Sequence, residues 1–396
     1  MLRSLFSGIS GLRAHQQMMD VTGNNIANVN TAGFKTSQAT FQDALSQMLS
    51  AAGRPQNGTG GTNPAQVGLG VRLAGISTNF GQGAAQVTGR STDLMIQGDG
   101  FFAVKQGNET LFTRNGSFSF DANGTLTTNT GALVQGWSAD ANGVISTNGG
   151  VGAIKLPIGT LLAPTATGMA RFSGNLPADA AATTVLETSM PIYDALGTEK
   201  TLSVTLTKVD ADTWSVQLDD GTTTPLPAPV AIDFKADGTP VTPVPATVIG
   251  GITVDLAGLT NYSGSATLAP QEQDGSPMGS LQAFTISNDG TLIGVFSNGL
   301  KKPLGQIAMA TFNNPPGLEK AGDSMYRNTV NSGQAQLGVA GSAGRGVLQA
   351  QSLEMSNVDL AQEFTNLVIA QRGFQANSRI ITTSDELLND LVNLKR

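Results

Sequence analysis

Apolar residues follow one period at the two ends of this chain and another in between. Leu360, Leu367, Phe374, Ile381 and Leu388 recur every seven residues. Such a stripe keeps one face of a slightly underwound helix against a partner. Ser356 is a candidate N-cap with Asp359 three residues on, and Asp359 and Glu363 sit where a helix dipole favours negative charge. Lys395 and Arg396 suit the opposite end. Unbroken, residues 357–395 would form a helix of roughly 60 Å, longer than a small domain covers with its own core. It therefore needs a partner helix. A second capping signal, Thr383 to Glu386, leaves a break near residue 384 open.

The N-terminal run offers that partner. Leu2, Leu5, Ile9, Leu12, Met19 and Ile26 occupy a and d positions, with Gln16 and Gly23 as the two misses. Gly8, Gly11 and Gly23 each cost about 1 kcal/mol relative to Ala in a helix interior. The ends are thus expected to be mobile in the monomer and helical only when packed on each other and on neighbouring subunits. A two-helix element packed on the chain's own β domain is the alternative. Asn24, Asn25, Asn28 and Asn30 are unusual in a helix, because Asn competes with the backbone for hydrogen bonds. They either fix register or end the helix before Gly33.

Past residue 70 the period becomes two. Ser117–Phe120 alternates after Asn115-Gly116, and Asp121-Ala122-Asn123-Gly124 turns the chain before Leu126. Leu202, Val204 and Leu206 alternate, as do Trp214, Val216 and Leu218 beyond Asp210-Ala211-Asp212. Phe284 and Ile286 lead into Asn288-Asp289-Gly290. The expected fold is mainly β, with short antiparallel strands in barrels or sandwiches and α-helical coiled-coil termini. Phe101, Phe102, Phe118, Phe120, Trp137 and Phe312 read as core, whereas Phe34 and Phe374 are balanced between core and interface. Six prolines within 222–247 suit edges and loops. Gly53, Pro55, Gly58, Gly60, Gly61 and Pro64 make residues 36–69 a flexible connector. The simplest layout is nested: terminal helices at 1–35 and 356–396, an inner β domain from 70–147 and 281–355, and an inserted outer β domain at 148–280.

Composition removes most chemistry. Charged residues are 13% of the chain, about half the usual quarter, and the formal net charge is −7. Without a basic patch no nucleic-acid surface is expected. There is no Cys, so no disulfide or thiolate metal site is possible. The single His, His15, lies in the N-terminal helix without triad partners and reads as a solvated or interface position. Gly98-Asp99-Gly100 lacks the Lys of a phosphate loop and reads as a turn. Carboxylates fall mainly in Asx-Gly turns, with neither a paired acid site nor a complete calcium loop. The expectation is a non-enzyme without cofactor or metal. No run approaches a membrane span, so no membrane insertion is expected, and Met1–Gly8 is too short and broken for a cleaved signal peptide.

Four segments carry a resemblance. They are Ser7-Gly8-Ile9 with Asn24-Asn25-Ile26-Ala27-Asn28-Val29-Asn30-Thr31-Ala32-Gly33-Phe34-Lys35; Asp93–Phe102 with Thr113-Arg114-Asn115-Gly116; Leu304–Ala308 with Phe312 and Asn313; and Ser356–Leu360 with Ala370-Gln371-Arg372 and Phe374-Gln375-Ala376-Asn377. Together they resemble the bacterial flagellar rod and hook family, while residues 148–280 carry no assignable motif. The resemblance implies a structural subunit that polymerises into a helical tube, exported by the flagellar type III apparatus without a cleaved signal peptide. The terminal helices would line its inner wall. It implies an extracellular place in the flagellum, with distal rod, hook cap and hook–filament junction proteins as neighbours. The large insertion favours a hook-type member, a flexible coupling for torque, over a distal rod component. A secreted β-rich adhesin with an oligomerising stalk is the alternative from another class. The expected assembly interface comprises Leu5, Ile9, Leu12, Met19, Asn24, Asn25, Ile26, Asn28, Phe34, Leu360, Phe364, Leu367, Phe374, Asn377, Ile381 and Leu388.

Overall fold

The computed structural model describes residues 2–55, 60–140, 143–157, 159, 161–223, 228–241 and 247–393. Pro225, Pro227, Pro243 and Pro245 of the Pro-rich stretch expected at 222–247, together with Gly58, Lys395 and Arg396, lie outside them. Strands make up 44% of the chain and one helix stands at each end. These are α1, Leu2–Ala27, and α2, Leu360–Asn393. The chain divides into two compact units, one of Met1–Leu156, Thr285–Ile293 and Pro303–Arg396, the other of Pro157–Phe284 and Gly294–Lys302.

In the first unit the sheet runs from Leu133–Ser138 through Phe101–Gln106, Glu109–Thr113 and Met325–Arg327 to Glu319–Gly322, each strand antiparallel to its neighbour. The expected hairpin after Asn115-Gly116 forms, with Leu126 opposite Phe120. Asp121 Oδ1 accepts the N–H groups of Asn123 and Thr125 at 2.9 and 2.6 Å, and Gly124 takes the left-handed conformation that closes the turn. Phe101, Phe112, Phe312 and Tyr326 are buried on one face in edge-to-face contacts, with Phe80 packed against them.

Residues 36–69, expected to be a flexible connector, instead contribute to an antiparallel ribbon. Ser37–Asp43 pairs with Val71–Thr78, and Ser46–Ser50 with Ala65–Gly68. The Gly and Pro residues that suggested flexibility cluster at 53–64, toward the ribbon's turn. The flanking stretches alternate polar and apolar residues and have ladder partners in each other.

The second unit is a sandwich. One sheet orders Thr247–Ile249, Ile252–Thr260, Met169–Asn175 and Ala269–Gln273, and the other is a meander of Val185–Tyr193, Glu199–Lys208, Thr213–Asp219 and Val230–Asp233. Leu202, Val204, Leu206, Trp214, Val216 and Leu218 are all buried, meeting Phe172, Leu176, Val254 and Leu256 of the first sheet. Of the expected barrels or sandwiches the sandwich is the one found, and one expectation, that strands pair only antiparallel, needs correction. No barrel closes among the described residues. One pairing, Met169–Asn175 with Ile252–Thr260, is parallel, which the long excursion through the meander permits.

The turn after Thr213–Asp219 holds a buried carboxylate, Asp220, below its ordinary range. Burial alone would raise the Asp220 carboxyl, but the N–H and hydroxyl groups of Thr223 and Thr222 donate to it and hold it near 2, below 3.8. A depressed carboxylate contributes stability that is present above its unfolded value and lost as pH falls through the folded one. Urea unfolding of wild type and Asp220→Asn should differ most above pH 3.8 and converge below about 2. A difference independent of pH would remove the charge from the explanation.

Candidate assembly interface

The chain ends meet the first β unit at a buried ionic junction. Lys35 closes the Asn-Thr-Ala-Gly-Phe-Lys run, Arg114 belongs to Thr-Arg-Asn-Gly, and Glu354 ends the strand Ser352–Glu354, which pairs with Ala85–Val87. Lys35 Nζ lies 2.5 Å from Glu354 Oε1 and Arg114 Nη1 lies 3.3 Å from Oε2, with Lys35 and Glu354 both fully buried. The Gly83 N–H also donates to Glu354 at 2.9 Å, and Lys35 Nζ donates to the Gly81 carbonyl at 2.8 Å. Burial pushes the Lys35 ammonium and the Arg114 guanidinium below their ordinary values, and the Glu354 carboxylate opposes both shifts. Tyr326 is driven by burial to about 12. The Arg114 guanidinium also lies over the Phe101 ring at 5.3 Å.

Backbone contacts complete the joint. The Gly33 N–H donates to the Glu354 carbonyl at 2.7 Å. At φ +70°, Gly33 sits so close to Asn115 that a Cβ would lie 2.5 Å from its amide nitrogen, so Gly is required there. The Asn357 carboxamide accepts from the Thr36 N–H and donates to the Asn79 and Gly81 carbonyls. Asn25, buried inside α1, replaces a backbone partner: it donates to the Ser37 carbonyl at 2.8 Å and accepts the Ser37 N–H at 3.0 Å. Asn24 and Asn28 bond each other and the last turn as the helix ends. Asn24 and Asn28 thus act at the helix end, whereas Asn25 holds the ribbon strand rather than a register between helices. Phe34 is half-buried under the Lys320 ammonium, 5.2 Å above its ring.

α1 and α2 pack antiparallel. Ser4 faces Ser384, Gly8 faces Ile381, Gly11 faces Asn377 and His15 faces Gly373. A Cβ at Gly11 would lie 2.7 Å from the Asn377 carboxamide, and one at Gly8 would lie 3.2 Å from Ile381. These glycines cost helix propensity but allow the close approach. Of the expected interface, Asn377 and Ile381 lie in this seam. Leu5, Leu12, Met19, Ile26, Leu367 and Leu388 are half-buried, Asn24 is exposed and Asn28 half-buried, while Ile9, Leu360, Phe364 and Phe374 are exposed. A strict heptad stripe drifts about 20° per repeat on a helix that does not supercoil, so it crosses the seam obliquely rather than filling it. The seam instead runs through small residues that an apolar count passes over, Gly8, Gly11 and Gly373, with Ala370 buried one turn from Gly373.

α2 runs unbroken through residue 384, where the Ser384 hydroxyl bonds back to the Ile380 carbonyl at 2.7 Å. Its N-cap is Asp359 rather than Ser356: Asp359 Oδ1 accepts the Ala361 and Gln362 N–H groups at 2.9 and 3.3 Å. In the preceding segment Asn357 is held by the ribbon base. No cluster of His, Asp and Glu able to hold a metal occurs among the described residues. Lys35, Arg114 and Glu354 had no role assigned from sequence. The adjoining motifs were visible, but nothing in the spacing showed that they converge.

A buried ionic joint, a close helix pair and outward apolar side chains define a structural subunit built to associate, and comparison with known proteins gives its family. Residues 5–35 match the family described as Flagella basal body rod protein, and 95–185 the Flagellar hook protein FlgE/F/G D1 domain. Residues 165–276 match the Flagellar basal body protein FlaE D2 domain, and 349–394 the Flagellar basal body rod FlgEFG protein C-terminal family. The central segment that carried no assignable motif is thereby covered. The chain is 38% identical to the flagellar hook protein FlgE of Treponema pallidum over 100% of both chains, and 34% identical to that of Escherichia coli over 98% of both. It is also 34% identical to the flagellar basal-body rod protein FlgG of Bacillus subtilis over 100% of both, so length alone does not separate hook from rod. The fold matches the crystal structure of Helicobacter pylori flagellar hook protein FlgE2 with a TM-score of 0.54 and 15% identity, over 68% of this chain and 100% of that one. The chain belongs to the flagellar hook and basal-body rod family.

Removing one partner of a buried, hydrogen-bonded charge pair leaves the others uncompensated and costs about 3–5 kcal/mol. Glu354→Gln should destabilise the first unit by that order in urea unfolding, while the sandwich unit keeps its own transition. A loss below about 1 kcal/mol, the range of an exposed pair, would show that the joint is solvated.

Proposed function

We propose that this chain is the structural subunit of a flagellar hook, polymerising head to tail into a tube that passes torque from motor to filament. The observation that carries this reading is the outer surface of the helix pair. Phe6, Phe364, Val368, Ile369, Ile380 and Leu387 are exposed on α1 and α2, although the two helices are fully formed. A single chain gains nothing from such residues in water, whereas copies of itself would bury them. Low charge fits the same role, because uncharged polar contacts between neighbours lack long-range fields and can slide at little cost.

The assembly interface proposed from sequence, Leu5 to Phe34 and Leu360 to Leu388, remains the candidate surface, with its apolar members now divided between seam flank and exterior. Export through the type III apparatus without a cleaved signal, an extracellular place in the flagellum, absence of enzymatic activity, and contacts with distal rod, hook cap and junction proteins belong to this proposal. No helix among the described residues is long and apolar enough to cross a membrane. The full-length likeness to a rod protein supports a second reading, a distal rod component.

Phe374→Asp, at an exposed position, should abolish tube formation while circular dichroism of the β units stays unchanged. Leu367→Asp should do the same with some loss at the half-buried seam. Normal tubes from either would remove the helical interface from the account. Electron microscopy of basal bodies from cells lacking the chain separates the two family roles: complete rods without hooks support the hook, and truncated rods support the rod.

A further inference from the structure

On α1, the side opposite the seam faces the ribbon strand Val71–Thr78 and forms a groove of about 460 Å³. Phe6, Ile9, Leu69 and Leu73 line it with apolar surface, and Arg13 and Arg72 add two positive charges. Phe6 is 66% exposed, and Ile9 and Leu69 are also open. The groove is a fixed feature. Ser10 Oγ accepts the Val71 N–H at 3.2 Å, and Gly70, at φ +112°, lets the strand press against Ser10. Neither arginine has an ion-pair partner among the described residues, and Arg72 lies beside the neutral Gln42 amide. An apolar floor with positive charge selects an amphipathic helix with an acidic flank.

The same chain ends in one. Because Ser4 lies opposite Ser384 while α1 starts at Leu2, the turns of α2 from Asp385 to Asn393 run largely past the end of α1. There Leu387 is 53% exposed. Glu386 and Asp390 flank it, both exposed and in none of the ion pairs among the described residues; Arg379 stands at the start of that flank. Within one chain this end cannot reach the groove. Gly8, Gly11 and His15 turn α1 toward α2, and Phe6, Ile9 and Arg13 lie on its far side.

We infer that the last turns of α2 from one copy occupy the α1–ribbon groove of another, with Leu387 on the apolar floor and Glu386 and Asp390 toward Arg13 and Arg72. The contact joins two different surfaces, so where it is not exchanged reciprocally within a pair and its rotation does not close, it propagates along a filament. This rests on the tube reading above and specifies which surfaces mate.

The chain has no Cys, so introduced thiols report without background. Chains carrying Ile9→Cys are mixed with chains carrying Leu387→Cys, assembled and oxidised. The expected product is a disulfide-linked pair containing one chain of each kind, absent when either variant is assembled alone. Tubes that form without this mixed pair overturn the inference and leave the tube reading intact. Failure of the unmodified chain to form any tube overturns the tube reading and the inference with it. As an independent measurement, Arg72→Glu should raise the concentration needed for assembly at least about tenfold, as expected for one reversed charge in a contact. Adding Glu386→Arg should restore it, and a double variant no better than the single one contradicts the pairing.

Discussion

Everything at the ends of this molecule hangs on the Glu354 carboxylate. It is fully buried and is met by the Lys35 ammonium, the Arg114 guanidinium and the Gly83 N–H. Lys35, Arg114 and Gly83 lie 319, 240 and 271 residues from Glu354 along the chain. A carboxylate without those donors would not be buried at all, because its desolvation would exceed what packing returns. The joint therefore forms only when N-terminal segment, β unit and C-terminal strand are all in place. Once formed, it holds the segment after α1 against the segment before α2. Asn25 and Asn357 extend this hold by bonding backbone groups that would otherwise be left unpaired on the ribbon.

From that root the two helices are brought together by small residues rather than by interlocking apolar ones. Gly8, Gly11 and Gly373 let the helices approach closely, and this has a consequence for the large side chains. They are displaced to the flanks and outside of the pair, where no residue of the same chain covers them fully. Stability within the subunit and stickiness between subunits are thereby assigned to different faces of the same helices. An isolated pair of this kind is only modestly stable, since glycine lowers helix propensity and the outer faces contribute nothing until covered.

Much of this was legible in the chain, for reasons that differ by element. Hairpins such as Ser117–Thr128 and Glu199–Asp219 were visible because alternation and Asx-Gly turns are local signals. Both terminal helices were visible from their periodicity, although the heptad stripe crosses the seam that forms instead of following it. The ribbon at 37–78 was missed because Gly and Pro near its turn masked two flanking strands that recognise each other. The parallel pairing of Met169–Asn175 with Ile252–Thr260 was missed because its partners lie far apart in sequence. The ionic joint had no local signature: a single Lys, Arg and Glu acquire their roles only through the topology that gathers them.

The central claim is that the outer apolar faces of α1 and α2 are covered by other copies of this chain. Hydroxyl-radical footprinting of the monomer and of the assembled polymer tests it most directly. The account predicts that Phe6, Phe364 and Leu387 lose reactivity on assembly, while the already buried Trp214 and Phe172 of the sandwich unit do not change. Polymer in which Phe6, Phe364 and Leu387 remain as reactive as in the monomer would contradict it.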